Sequence, residues 1–244
     1  MSRKVRKWIS LLATIVMIVS AGYALFEGSH SILPSRPKTD IETRIDAANY
    51  YVTEPKMDGF KYGKPSGIRY GDLDFKGRPT YVSAEITRDL YLKEKAEARE
   101  PINVDPIGWG RNFKSEIDLE NGKYYHGYFW NRSHMLADSL GGEPIQKNLV
   151  TGTRMQNVGI DHKGGMAYIE SKIRDYFDDG GKETVYFELT NNYGTDKETI
   201  PRAATIRVLS NDKTFNETIT VYNACNGYDI NYEDGSVKKI GDPT

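Results

Sequence analysis

The sequence predicts an α+β fold with a central antiparallel β-sheet, and three patterns favour that class. Four segments are rich in β-branched and aromatic residues with partial alternation, which is typical of strands. One amphipathic stretch after the first of them predicts a helix. The helical and strand segments do not alternate regularly, so a βαβ series is not expected.

The predicted elements follow in chain order. Strands are expected at residues 79–87, 183–190, 203–210 and 217–224. The turn residues SNDKTFN between the last two indicate an antiparallel pair. A helix is predicted at about 164–178, where apolar residues recur at helical spacing before a Gly-Gly stop. The segment 129–180 is therefore expected to run strand, turn, strand, helix.

Composition limits both the domain count and the class of protein. The chain has 244 residues, 38% of them hydrophobic, which allows one sizeable core but is short for two full domains. The formal net charge is −1, and four early basic residues lie outside the predicted folded part: Arg3, Lys4, Arg6 and Lys7. The globular region is therefore mildly acidic, which disfavours a protein that coats nucleic acid by charge alone.

The first 27 residues are predicted to be a targeting segment. A basic start, MSRKVRK, precedes an uncharged run at 8–26 that reaches membrane-spanning length. Two outcomes stay open, namely cleavage near Ala21 or Ala24, or retention as an anchor. Residues 28–45 are interpreted as a flexible linker and 46–244 as the folded domain. The domain is therefore expected to be extracellular, either released or held on the outer face of a bacterial membrane.

Cys225 is the single cysteine of the chain. An exported protein with one cysteine forms no intramolecular disulfide, so its core alone must hold the fold together. This pattern is typical of a bacterial secreted enzyme, and it excludes cysteine metal clusters.

The segment from 134 to 174 concentrates side chains that could perform acid–base and phosphate chemistry. They are His134, Asn148, Asn157, Glu170 and Arg174. Glu170 and Arg174 stand four residues apart and so share one face of the predicted helix. Taken singly, each residue also has an ordinary structural explanation, such as a turn, a cap or an exposed helix pair.

The order and spacing of these residues resemble a known family. NRSH at 131–134 and KNLVTGTRMQN at 147–157 form a specific pair of motifs. With YGDLDFKGRPTYVSAEIT and DPIGWG before them and VYNACNGYDINYEDG after them, they resemble the DNA/RNA non-specific endonucleases of the ββα-metal type. Within that family the similarity is greatest to streptococcal secreted DNases and DNA-entry nucleases, and it extends over about residues 66–236.

The resemblance implies a role for each motif residue. His134 matches the catalytic histidine, and Asn157 matches the asparagine that binds Mg²⁺. Asn148 matches a second active-site asparagine, Glu170 a carboxylate that holds the waters of the metal, and Arg174 a phosphate-binding arginine. Two further arginines beside the motifs, Arg132 and Arg154, are candidates for contacts with substrate phosphates.

The first motif departs from the commonest form of the family, Asp-Arg-Gly-His. Asn131 replaces the acid and Ser133 replaces the glycine. The change at Asn131 removes a charge near the loop, whereas His134 itself is retained.

The implied activity is hydrolysis of phosphodiester bonds in DNA, and also in RNA, at no particular sequence, leaving 5′-phosphates. Such a reaction needs a base for water, a cation for the developing charge and fixed geometry between them. Mg²⁺ is the expected cofactor, with Mn²⁺ as a substitute, and no protein partner is implied. Two alternatives from other classes stay open: a catalytically silent DNA-binding or uptake receptor on the same fold, and an extracellular adhesion module.

Overall fold

The computed structural model of the chain describes residues 49–56, 58–60, 63–110 and 112–240. The predicted targeting segment at 1–27 and the linker at 28–45 lie outside these residues. Within the described part, no helix is long and apolar enough to cross a membrane.

The described residues contain twelve strands and three α-helices, joined by loops and short 3-10 turns. The strands are β1 Tyr51–Glu54, β2 Ile68–Tyr70, β3 Tyr81–Ile86, β4 Lys114–Asp118, β5 Tyr124–Tyr128, β6 Trp130–His134, β7 Leu149–Thr153, β8 Val185–Asn192, β9 Ala203–Ser210, β10 Asn216–Tyr222, β11 Tyr228–Ile230 and β12 Val237–Lys239. The helices are α1 Arg88–Ala96, α2 Arg154–Val158 and α3 Gly165–Asp178.

A six-stranded antiparallel sheet forms the centre of the molecule, in the order β1-β10-β9-β8-β3-β2. Its four inner strands are the four that the sequence predicts, which confirms the α+β class. In β8 the alternate residues Val185, Phe187 and Leu189 are at most 1% exposed. This alternation buries one apolar row of the strand in the core.

Helix α3 belongs to the same core as the central sheet. Met166, Ile169, Ile173 and Phe177 recur on one side of the helix and are at most 1% exposed. Burial of each such side chain stabilises the fold by about 1.5–3 kcal/mol relative to exposure. The predicted helix at about 164–178 is confirmed, and its apolar face explains why it docks in this orientation.

Three two-stranded sheets lie outside the central one: β4–β5, β6–β7 and β11–β12. The hairpins β4–β5 and β6–β7 contribute Ile117, Phe129 and Trp130 to a second apolar cluster. The chain then passes from β7 through α2 into α3, so two strands are followed by helix, as the sequence predicts for 129–180. Strands β4 and β5 were not predicted, because KSEID and YYHGY are mostly exposed and carry little apolar alternation.

Candidate active site

A cavity of about 470 Å³ lies where β6, α2 and α3 meet. Five of the predicted site residues line it: Arg132, His134, Asn157, Glu170 and Arg174. They come from the end of a strand, a short helix and a longer helix, so the fold brings together side chains that are up to 42 positions apart.

His134 is the last residue of β6 and pairs across the hairpin with Leu149. Its Nε2 is buried and has no hydrogen-bond partner among the described residues. Burial lowers the pKa of His134, an effect that Asp138 opposes and Arg99 reinforces. The imidazole is therefore neutral at neutral pH, which is the form that can accept a proton.

Asn148 lies behind His134 and does not line the cavity. Its side chain is fully buried, accepts a hydrogen bond from the Leu136 backbone N–H at 2.9 Å, and donates to the carbonyls of Leu136 and Glu143. These bonds hold the loop that follows His134. The contacts therefore support a positioning role for Asn148, and its match to a second active-site asparagine stays a prediction.

The glycine pair after this loop is required by its geometry. Gly141 has φ +92°, a conformation that residues with a Cβ rarely adopt. At Gly142 a Cβ would lie 1.8 Å from the carbonyl oxygen of Leu136. The loop can therefore close over Leu136 only without a side chain at 142.

Asn157 is held in place by the two residues that depart from the common motif. Its Oδ1 accepts a hydrogen bond from the Ser133 hydroxyl at 3.1 Å, and its Nδ2 donates to Asn131 Oδ1 at 3.4 Å. The two contacts orient the amide in one direction. Because an amide oxygen has two lone pairs, the second remains for another ligand.

The start of α2, which carries Asn157, is fixed from the central sheet. Thr153 caps the helix by accepting from the Gln156 N–H at 2.8 Å. Asn223, just after β10, accepts from the Thr153 N–H and donates to the carbonyls of Thr151 and Pro201. No role for Asn223 is predicted from the sequence, because its distance along the chain from the motifs does not show whether its side chain is buried.

Glu170 and Arg174 form one wall of the cavity. The Glu170 side chain is 17% exposed, and burial raises its pKa to about 7 although Arg174 and Arg99 oppose the shift. The guanidinium of Arg174 lies 3.9 Å from that carboxylate and donates to Ser139 and Ser171. Two hydroxyls thus hold the arginine at the wall, where an anionic ligand could reach it.

The two candidate phosphate arginines differ in position. Arg132 lines the cavity, donates to Asp105 at 2.8 Å and lies 4.6 Å from the centre of the Trp109 ring. Arg154 does not line it, because its guanidinium lies over Tyr125 at 4.7 Å. Five polar cavity residues have no site role predicted from the sequence: Arg99, Glu100, Asp138, Ser139 and His162.

The side chains of the cavity fit a hard divalent cation. They offer the Asn157 amide oxygen and the Glu170 carboxylate, and oxygen ligands are those that Mg²⁺ and Mn²⁺ prefer. Among the residues of known position, no group of three or more His, Cys, Asp or Glu side chains is placed to hold a metal.

Comparison with known proteins places this site in a family. The model of the DNA/RNA non-specific endonuclease family matches residues 59–212. The chain belongs to this family. The resemblance seen in the sequence is thereby confirmed.

Individual relatives agree with the family match. A deoxyribonuclease of Streptococcus dysgalactiae subsp. equisimilis is 32% identical over 200 residues, which cover 70% of this chain and 61% of the relative. The zinc-bound structure of Sda1 nuclease is 32% identical, with a TM-score of 0.74, and the match covers 80% of this chain and 98% of that one. Magnesium-bound NucA from Streptococcus agalactiae is 17% identical with a TM-score of 0.63, over 84% of this chain and 98% of NucA, which shows a shared fold.

Glu170→Gln should change the pH dependence of stability. The raised pKa means that the folded protein keeps a proton that the unfolded chain releases near pH 4.5, so the free energy of unfolding falls as pH rises from about 4.5 to 7. The variant removes this loss. We expect it to be more stable than the parent at pH 8, by on the order of 1–3 kcal/mol, and equal to it at pH 4.

Urea unfolding in EDTA at the two pH values measures this difference. Glu116→Gln, which changes an exposed carboxylate, is the control and should unfold like the parent at both. An equal effect of Glu170→Gln at pH 4 and pH 8 would show that burial does not raise the pKa of Glu170 in the folded protein.

Proposed function

We propose that the protein is a divalent-metal-dependent, sequence-non-specific endonuclease that hydrolyses phosphodiester bonds of DNA and also of RNA. The observation that carries the proposal is one cavity lined by His134, Asn157, Glu170 and Arg174. The buried Nε2 of His134 has no hydrogen-bond partner among the described residues, and Glu170 and Arg174 lie 3.9 Å apart. Family membership supports the same activity.

The side chains divide the reaction among them. Neutral His134 takes a proton from a water molecule, whose oxygen then bonds to phosphorus. Arg174 and Arg132 together orient the anionic phosphate. The bond from phosphorus to the 3′ oxygen breaks and that oxygen takes a proton from solvent, while His134 releases its own proton to solvent. The products are therefore a 5′-phosphate and a 3′-hydroxyl.

Asn157 and Glu170 would hold the cofactor, Asn157 through its amide oxygen and Glu170 through the waters of the ion. When bound, the cation supplies positive charge for the phosphate and the leaving 3′ oxygen. We propose Mg²⁺, with Mn²⁺ as a substitute, because both oxygen donors are hard ligands. Sda1 nuclease has been solved with zinc and NucA with magnesium, so the choice among divalent ions calls for a direct test.

We propose further that residues 46–244 form the nuclease domain and that it works outside the cell membrane. The basic start and the uncharged run at 8–26 support export. The family match at 59–212 lies within the proposed domain. The chain spans 61% of the length of its deoxyribonuclease relative, so the relative has a large additional portion.

Incubation of supercoiled plasmid with the protein tests the proposal. We expect nicking and fragmentation that EDTA abolishes and that Mg²⁺ or Mn²⁺ restores. When the cells that produce the protein are fractionated, the activity should be in the culture medium or the membrane fraction. RNA supplied in place of plasmid should also be cut. Retention of plasmid without cutting would support the silent receptor instead, and neither binding nor cutting would support the adhesion module.

A further inference from the structure

A second groove, of about 700 Å³, adjoins the catalytic cavity and shares two wall residues with it, Ile102 and Arg132. It is lined largely by aromatic residues of the β4–β5 and β6–β7 region. We call it the aromatic groove and define it by Ile102, Trp109, Asn112, Tyr125, Tyr128, Trp130, Asn131 and Arg132. The mechanism described above uses Arg132 but none of the aromatic rings.

Each of three rings in the aromatic groove has a cation beside it. Arg132 lies 4.6 Å from the centre of the Trp109 ring and Arg154 lies 4.7 Å from that of Tyr125. Lys114 lies 5.9 Å from the centre of the Tyr128 ring. Arg132 is part of the groove wall, whereas Lys114 and Arg154 lie beside its rings from outside the wall. Flat apolar rings and positive charges are thus close together, which is the combination that binds single-stranded nucleic acid.

We propose that the aromatic groove binds unpaired nucleobases of the substrate strand next to the phosphate that is attacked by the water His134 deprotonates. This inference rests on the proposed nuclease function and names the preferred substrate as a single-stranded or locally opened segment. In an intact duplex the faces of the bases are stacked on each other and cannot reach the rings. Stacking needs only a flat face, so it is compatible with cutting at no particular sequence.

Binding without cleavage provides the test. The full-length His134→Ala protein in EDTA is titrated into three fluorescein-labelled 12-mers: oligothymidylate, an abasic strand with the same phosphates, and a blunt duplex. We expect oligothymidylate to bind at least about 10-fold more tightly than the abasic strand, as stacking contributes to each bound base. The duplex should lose that advantage.

Two tyrosines of one strand give a matched pair of variants. Tyr128 and Tyr124 are both in β5 and both 54% exposed, but only Tyr128 lines the aromatic groove. In the His134→Ala background, Tyr128→Ala should weaken oligothymidylate binding by about 5- to 100-fold and leave the abasic strand within about threefold. Tyr124→Ala should change neither, and Tyr128→Phe, which keeps the ring, should bind like the parent.

Trp109→Leu is the second groove variant and should show the same selective loss as Tyr128→Ala. Equal effects of Tyr128→Ala and Tyr124→Ala, or equal binding of oligothymidylate and the abasic strand, would overturn the inference. The plasmid assay separates this failure from that of the proposed function. If the parent cuts plasmid but shows no base-dependent binding, the proposed function stands and the groove inference is overturned. If the parent binds bases through Tyr128 but cuts no plasmid, the groove inference stands and the proposed function is overturned.

Discussion

His134→Ala is expected to lower the rate of plasmid cleavage by on the order of 10²–10⁴-fold while DNA binding changes little. In the proposed mechanism the imidazole acts on the water and not on the substrate. Its removal should therefore lower kcat and leave the proposed phosphate contacts of Arg132 and Arg174 in place. Initial nicking rates with Mg²⁺, together with the Kd for DNA in EDTA, measure the two quantities separately.

His126→Ala is the matched control for this prediction. His126 is also a histidine of a hairpin strand, but its side chain is 68% exposed and lies beside Glu116, and it lines neither cavity. This variant should cut at the parent rate. A comparable loss in both variants would point to a general effect of removing a histidine from these hairpins.

Asn157→Ala is expected to lower the activity at millimolar Mg²⁺ by more than about 100-fold. Loss of a contact that supports a metal ligand costs about 10- to 100-fold, and loss of the proposed ligand itself should cost more. The variant should also bind Mn²⁺ more weakly than the parent in a calorimetric titration, a readout that does not depend on cleavage. Its fold should persist, since the side chain of Asn157 is only partly buried.

Ser133→Ala gives the graded comparison for Asn157. It removes the hydroxyl that donates to Asn157 Oδ1 but keeps the ligand itself. A loss of Mn²⁺ affinity of about 10-fold is expected, smaller than that of Asn157→Ala. Parent affinity in Asn157→Ala would remove Asn157 from the metal site.

The central fold could be predicted from the sequence because its elements are strongly patterned. Alternation in β8 and helical spacing in α3 both arise from a single buried face, so the pattern can be read without knowledge of the partner. The hairpin β4–β5 gave no such signal. Most of its residues are buried on neither face of a sheet, so they need not alternate between apolar and polar. Two of them, Tyr125 and Tyr128, line the aromatic groove instead.

The motif residues were predictable as a set but not in their individual positions. His134, Asn157, Glu170 and Arg174 line one cavity, in agreement with their spacing in the sequence. Asn148 carries the same kind of side chain as Asn157, yet its amide is used by the backbone of the loop at 136–143. Which of two asparagines faces a cavity depends on contacts with distant parts of the chain, and spacing alone does not contain that information.

The departures from the common first motif acquire a physical explanation in the structure. Asn131 and Ser133 stand two apart on β6, so their side chains point to the same side of the strand and both contact Asn157. A glycine at 133 would have no side-chain hydroxyl to donate to Asn157. Both departures are visible in the sequence, but this contact is not, because it depends on where α2 lies against β6.

Chemical rescue of His134→Gly tests the central claim, that His134 is the general base of this cavity, most directly. The substitution leaves a space the size of an imidazole beside the position of the attacking water. Free imidazole added to the variant should restore part of the cleavage, and the restored rate should rise with pH as imidazole loses its proton near pH 7. A stable His134→Gly protein that cuts at the parent rate, or one that imidazole does not restore at any pH, would contradict the account.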